Sequence, residues 1–121
     1  MPRVVHFEIH ADDPNRAVKF YSGVFGWKIE KWNGPMDYWL ATTGPDDQPG
    51  INGAIMHRMN QGAVYNTMDV PSVDEFSKKI EAAGGKAITP KTAIPGMGWF
   101  RYCQDTEGNV FGIMEMDPSA K

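Results

Sequence analysis

Two stretches of this sequence pass through the same order of signals, and that repetition limits the chain to folds built from a pair of similar units. The first, Val4 to Trp27 (VVHFEIHADDPNRAVKFYSGVFGW), alternates Val5, Phe7, Ile9 and Ala11 with His6, Glu8 and His10. That is the period of a strand with one apolar and one polar face. Asp13 is placed to cap a helix whose first position is Pro14, where the missing N–H costs nothing. Ala17, Val18, Tyr21, Val24 and Phe25 form its apolar stripe, and Gly26 supplies the left-handed stop. From Ala63 the order returns. AVYNTMDV reads as a strand, Ser72 with Glu75 as a capping box, Val73, Phe76, Ile80 and Ala83 as a helical stripe, and Gly84–Gly85 as its end. Laid on one another, the two halves set Val5 over Val64, His6 over Tyr65, Gly26 over Gly85 and Ile29 over Ile88. Further on the alignment slips by one residue, and GINGAIM from Gly50 faces GNVFGIM from Gly108.

Between these landmarks, Lys28–Trp32, Tyr38–Thr43 and Ile51–Arg58 read as strands in the first half. The turn NGP (Asn33–Pro35) and the polar loop Gly44–Gly50 separate them. Lys86–Thr89, Trp99–Gln104 and Val110–Met116 read as strands in the second, with Thr92–Gly98 as a separating loop, the glycine-bearing Ile94–Phe100 (IPGMGWF) as a turn or a lid, and Asp105–Asn109 as a turn. The expected fold class is α+β: two βαβββ modules forming a curved mixed sheet around a cleft, each helix covering one face. A single domain is expected over 1–121, with module 1 at about 1–60, module 2 at about 61–121 and the short linker Asn60–Gly62 between them.

Composition narrows the partners. A formal charge of −3 with no Lys/Arg cluster argues against nucleic acid and acidic membranes, and no apolar run approaches the roughly 20 residues of a membrane helix. The N-terminus has no basic segment followed by a long apolar run, so no signal peptide is expected. The single cysteine, Cys103, cannot form an internal disulfide, and a cytoplasmic location follows as the expectation. Four Trp, six Phe, four Tyr and eight Met are many for this length, and suit an adaptable aromatic pocket or a subunit interface as well as a core.

The segments VVHFEIHADDPNRAVKFYSGVFGW, NTMDVPSVDEFSKKIEAAGGK and IPGMGWFRYCQDTEGNVFGIMEMD resemble the vicinal oxygen chelate superfamily. That superfamily holds glyoxalase I, bleomycin-resistance proteins, fosfomycin-resistance enzymes and extradiol dioxygenases. The resemblance implies a cleft built from paired βαβββ modules, a homodimer, and a divalent metal held by His, Gln and Glu from the strands. His6 stands at the place of the first metal ligand and Tyr65 at its counterpart in the second module. Ala54 and Gly112 stand where the family carries acidic ligands, which leaves the metal site incomplete. Glu115 and His57, three residues further along each strand, fall by parity on the opposite face.

His6, Glu8 and His10 share one strand face, directed to the cleft or to solvent. Alternate residues lie about 6.6 Å apart and the outer pair about 13 Å, so the three cannot hold one ion, although His6 and Glu8 could supply two ligands. Hydrogen bonding to a ligand is the expected role of all three, with Glu8 the general base if chemistry occurs. Tyr65 and Thr67 are expected to face them, and Ala54, Met56, Gly112 and Met114 to form an apolar wall with room for an aromatic ligand. Trp27, Trp32, Tyr38, Trp39 and Trp99 offer stacking surfaces or packing, and Cys103 is expected to be a buried thiol. Two functions follow. One is a metal-free protein binding a small apolar or aromatic molecule. The other is a divalent-metal-dependent lyase or isomerase of the glyoxalase I type.

Overall fold

Asp13 starts the first helix as its side chain promises, with Oδ1 accepting from the Arg16 N–H at 3.1 Å. Gly26 ends it at φ 72°, its N–H bonded to the Ser22 carbonyl at 3.0 Å. The computed structural model describes residues 2–59 and 62–121. The chain gathers into two compact units: His6–Tyr65, and Asn66–Lys121 with the N-terminal residues up to Val5. The expected linker Asn60–Gly62 lies outside the described residues except for Gly62.

The first unit runs β1 (Val4–Ala11, its first two residues grouping with the second unit), α1 (Pro14–Phe25), β2 (Lys28–Lys31), β3 (Tyr38–Thr42) and β4 (Gly53–His57), ending at the start of β5 (Val64–Asp69). Its strand order is β2-β3-β4-β1, with β1 parallel to β4 and the other pairs antiparallel. On the helix side, Phe7 lies 5.8 Å from the Trp27 ring, which stacks on Tyr21 at 5.1 Å. A side chain at Gly53 would run into the Phe7 ring, so this glycine is what lets the ring lie flat on β4. The expected apolar stripe of α1 is only partly used. Val24 and Phe25 are 60% and 59% exposed in the last turn of the helix.

The second unit carries the rest of β5, then α2 (Val73–Ala82), β6 (Lys86–Ala87), β7 (Thr92–Ile94), β8 (Gly98–Gln104) and β9 (Val110–Met116). Its order is β6-β8-β9-β5, again with the first strand parallel to the last, and β7 pairs with β8. The internal repeat is therefore a repeat of topology. It holds to the residue: Glu8 sits beside Ala54 as Thr67 sits beside Gly112. Val70, Val73, Cys103 and Ile113 form the core of this unit, closed by Phe76, Ile80, Ala87, Trp99 and Phe111. No helix among the described residues is long and apolar enough to cross a membrane.

Two local expectations are corrected. Thr92–Gly98 is not a free loop, since Thr92–Ile94 pairs with Gly98–Phe100 as a tight hairpin. The period-2 signal of three residues beside a Pro-Gly turn is too short to register in sequence. The capping box of α2 is also only half built. Ser72 Oγ accepts from the Glu75 N–H at 3.1 Å, but the Glu75 carboxylate pairs with Lys79 rather than returning to the Ser72 N–H, and Glu115 Oε1 separately accepts from the Val73 N–H at 2.9 Å. That contact puts Glu115 on the helix side of β9, where its parity relative to Gly112 sends it. His57, exposed and set edge-on to Trp39, follows the same parity on β4.

Candidate functional site

The polar face of β1 is buried more deeply than its apolar face. Glu8 and His10 are 5% and 2% exposed, whereas Phe7 and Ile9 are only half-buried and His6 keeps partial exposure. Cross-strand register sets two rows on this face: His10, Met56 and Tyr38, then Glu8, Ala54 and Leu40. Ala54 ends at its Cβ, so the long Tyr38 side chain reaches diagonally past it toward β1. The Tyr38 hydroxyl arrives between two polar groups, 2.8 Å from His6 Nε2 and 2.9 Å from Glu8 Oε2, to which it donates. The other oxygen, Oε1, lies 3.2 Å from His10 Nε2. One hydrogen-bonded chain thus joins His6, Tyr38, Glu8 and His10.

Aromatic rings enclose it. Tyr38 lies nearly parallel to His6, Trp32 meets Tyr38 edge-on at 6.0 Å, and Tyr65 packs on His10 at 4.1 Å. Burial and then the Glu8 charge push the Tyr65 phenol above its ordinary range, with Arg58 opposing. His10 Nδ1 is buried with no hydrogen-bond partner. An unpaired lone pair is less costly there than an unpaired N–H, so the His10 proton belongs on Nε2, where Glu8 accepts it.

Burial lowers the pKa of His6 below 6.5, and the nearby Glu8 carboxylate offsets this only in part. The unfolded chain therefore binds a proton at this residue before the folded one does. Stability should fall as pH drops through and below about 6.5, and should recover above it. Urea unfolding at stepped pH values checks this, and His6→Gln should flatten the slope in that window. The Asp105 and Asp117 carboxyls, held low by backbone and side-chain hydrogen bonds respectively, act only in the more acidic carboxylate range.

The repeat-related face of the second unit has the same register with different chemistry. Phe100 stands beside Met114 as Tyr38 stands beside Met56, and Thr67 holds the place of Glu8. A Cβ on Gly112 would strike the Phe100 ring at 2.5 Å and meet Thr67 Oγ1 at 3.0 Å. The Phe100 ring takes up the room expected over Gly112, and neither Ala54 nor Gly112 offers a donor. Thr67, Met56 and Met114 are buried. Among the described residues, no three His, Cys, Asp or Glu side chains group closely enough to hold a metal ion.

Sequence reasoning brings His6, Glu8, His10, Ala54, Met56 and Tyr65 together, as the first unit does. It gives Tyr38 only a stacking role, because the hydroxyl's position depends on the β3–β4 register across a ten-residue connection (residues 43–52). It also misses a groove of about 420 Å³ beside α1, bordered by Ile9, Ala17, Phe20, Tyr21, Arg16 and Arg58.

Residues 3–44 match the family described as bleomycin resistance protein-like N-terminal. A glyoxylase-like domain-containing protein of Didymella fabae is 34% identical over 116 residues, covering 88% of each chain. CFP32 of Mycobacterium bovis is 27% identical over 114 residues, and the alignment covers 92% of this chain but 43% of that longer protein. Among solved structures, a methylmalonyl-CoA epimerase in complex with methylmalonyl-CoA and NH4+ superposes with a TM-score of 0.69 at 12% identity, covering 100% of this chain and 99% of that one. At that identity the likeness is one of fold alone. The Didymella relative spans most of both chains, and the two halves repeat one β-α-β topology: the protein belongs to the vicinal oxygen chelate superfamily, among its glyoxalase- and bleomycin-resistance-like members.

Proposed function

We propose that the face of His6, Glu8, His10 and Tyr38 binds a small apolar or aromatic molecule without a resident metal. The observation that carries this reading is the Tyr38 hydroxyl, which already bonds both His6 Nε2 and Glu8 Oε2. Glu8 Oε1 faces His10, while Ala54 and Gly112 bring no carboxylate, so the donor set does not fit a divalent cation, which needs at least three protein ligands in a catalytic zinc site. The partly exposed rings of Tyr38 and Trp32 supply the flat, polarisable surface an aromatic ligand favours. Tyr65 and Met56 complete the residues assigned to recognition on this face, Thr67 and Met114 hold the matching positions within the second unit, and the protein is proposed to act as a cytoplasmic homodimer.

Metal analysis tests the reading. Protein purified without chelator or a metal-binding tag should hold well under one equivalent of Ni, Zn, Fe or Mn. It should not turn over the glutathione–methylglyoxal adduct. Stoichiometric metal that disappears in His6→Ala would instead support the metal-dependent lyase or isomerase reading, which the glyoxylase-like name of the Didymella relative favours.

A further inference from the structure

The directions of the three hydrogen bonds that join His6, Tyr38, Glu8 and His10 follow from where the His10 proton sits. Glu8 is flanked by the Tyr38 hydroxyl, which donates to Oε2, and by His10 Nε2 at Oε1. The unpartnered, fully covered His10 Nδ1 places the His10 proton on Nε2, so Glu8 accepts on both sides. The single Tyr38 proton is then committed to Glu8. His6 Nε2, 2.8 Å from the same oxygen, must be the donor in that contact. A neutral imidazole protonated at Nε2 carries a lone pair at Nδ1, and among the described residues His6 hydrogen-bonds Tyr38 through Nε2 and lies in the field of Glu8. His6 and Tyr38 are the members of the chain that retain partial exposure, and of these His6 Nδ1 is the acceptor left over.

From this ordering, and resting on the binding role proposed above, we infer that the site recognises a hydrogen-bond donor. Its ligand is a neutral or cationic molecule bearing an O–H or N–H on an aromatic or apolar body, received by His6 Nδ1. A carboxylate or phosphate would set lone pair against lone pair and bring a second negative charge toward buried Glu8. The nearby Arg58 does not compensate, because its guanidinium is held by Asp12 at 2.9 Å and by the Gly62 carbonyl at 2.9 Å. The first unit thus sets the sign of the ligand as well as its place. The repeat-related face of the second unit, with Phe100 and Thr67 at the matching positions, has no such relay.

Two measurements on the full-length protein test this. Long-range ¹H–¹⁵N spectra at pH 7.5 should show His6 neutral with its proton on Nε2. An Nδ1–H tautomer or an imidazolium there would overturn the inference and leave the binding role standing. Titration with benzyl alcohol, benzylamine and benzoate, three probes sharing one ring, should perturb the His6 resonances with the first two. Benzoate should bind at least about tenfold more weakly. Equal or tighter benzoate binding would overturn the inference alone. Silence from all three probes would count against the binding role and the inference together. In Tyr38→Phe the tautomer is no longer dictated, so His6 should populate both forms and the preference over benzoate should shrink. An unchanged tautomer and ratio in a folded Tyr38→Phe protein would overturn the relay. If that variant does not fold, the wild-type tautomer and probe ratio decide.

Discussion

Replacing Glu8 by alanine is expected to remove about 2–6 kcal/mol of folding stability, because two buried donors each lose a charged acceptor at roughly 1–3 kcal/mol apiece. Glu8 is 5% exposed and receives the Tyr38 hydroxyl at 2.9 Å and His10 Nε2 at 3.2 Å. Truncation removes the carboxylate acceptor from both donors. His10, already without a partner at Nδ1, would then have neither ring nitrogen bonded. Glu8→Gln separates charge from shape. Its amide oxygen can still accept from Tyr38, but the NH₂ would then face the N–H of His10. Turning His10 to the other tautomer relieves that clash and moves a bare N–H to the covered Nδ1 position. A smaller loss, about 1–2 kcal/mol, is expected for the glutamine variant. Urea denaturation of the two variants reads both values from midpoint shifts at constant slope. If Glu8→Ala unfolds at the wild-type midpoint, the buried chain is not what holds this face together.

Much of this was legible in the residues themselves, for physical reasons that differ from place to place. Asp13, Pro14 and Gly26 act within a few bonds of where they stand, so the limits of α1 follow from local chemistry. Strand parity is equally local, and it correctly separated Ala54 and Gly112 from His57 and Glu115. What local rules cannot supply is register between strands that a long loop connects. Residues 43–52 fix which residue of β3 lies beside Met56, and only that pairing brings the Tyr38 hydroxyl to His6 and Glu8. The burial of Glu8 and His10 escaped for a related reason. Two charged or polar residues on a strand read as a solvated face unless a partner hydroxyl and a covering ring from elsewhere in the chain are known. The exposed Val24 and Phe25 are the converse: helical periodicity reports an apolar stripe without saying how much of it is covered.

Gly98→Ala should be the most damaging single methyl in the second unit, lowering stability by about 3 kcal/mol, the upper end for overpacking. Gly98 is buried at the start of β8, opposite Ile94 on one side and Met116 on the other. A Cβ built there lands on the backbone carbonyl oxygen of Glu115 and touches Met114 Cε at 3.0 Å. The methionine tip can move, but the carbonyl belongs to β9 and cannot retreat without disturbing its ladder. Glu115 also reaches from the same residue to the Val73 N–H, so a displaced backbone loosens the start of α2 as well. Positive φ is not involved, and the cost comes from contact alone. Gly23→Ala is the matched control. Gly23 lies in α1 with nothing within 4 Å of its added Cβ, and alanine there should raise stability by about 0.5–1 kcal/mol through helix propensity. Opposite signs for two glycine-to-alanine changes, measured by thermal and urea unfolding, would show that the glycine in β8 is held by its neighbour across the ladder. A Gly98→Ala protein as stable as wild type would mean that β8 and β9 do not pair in this register.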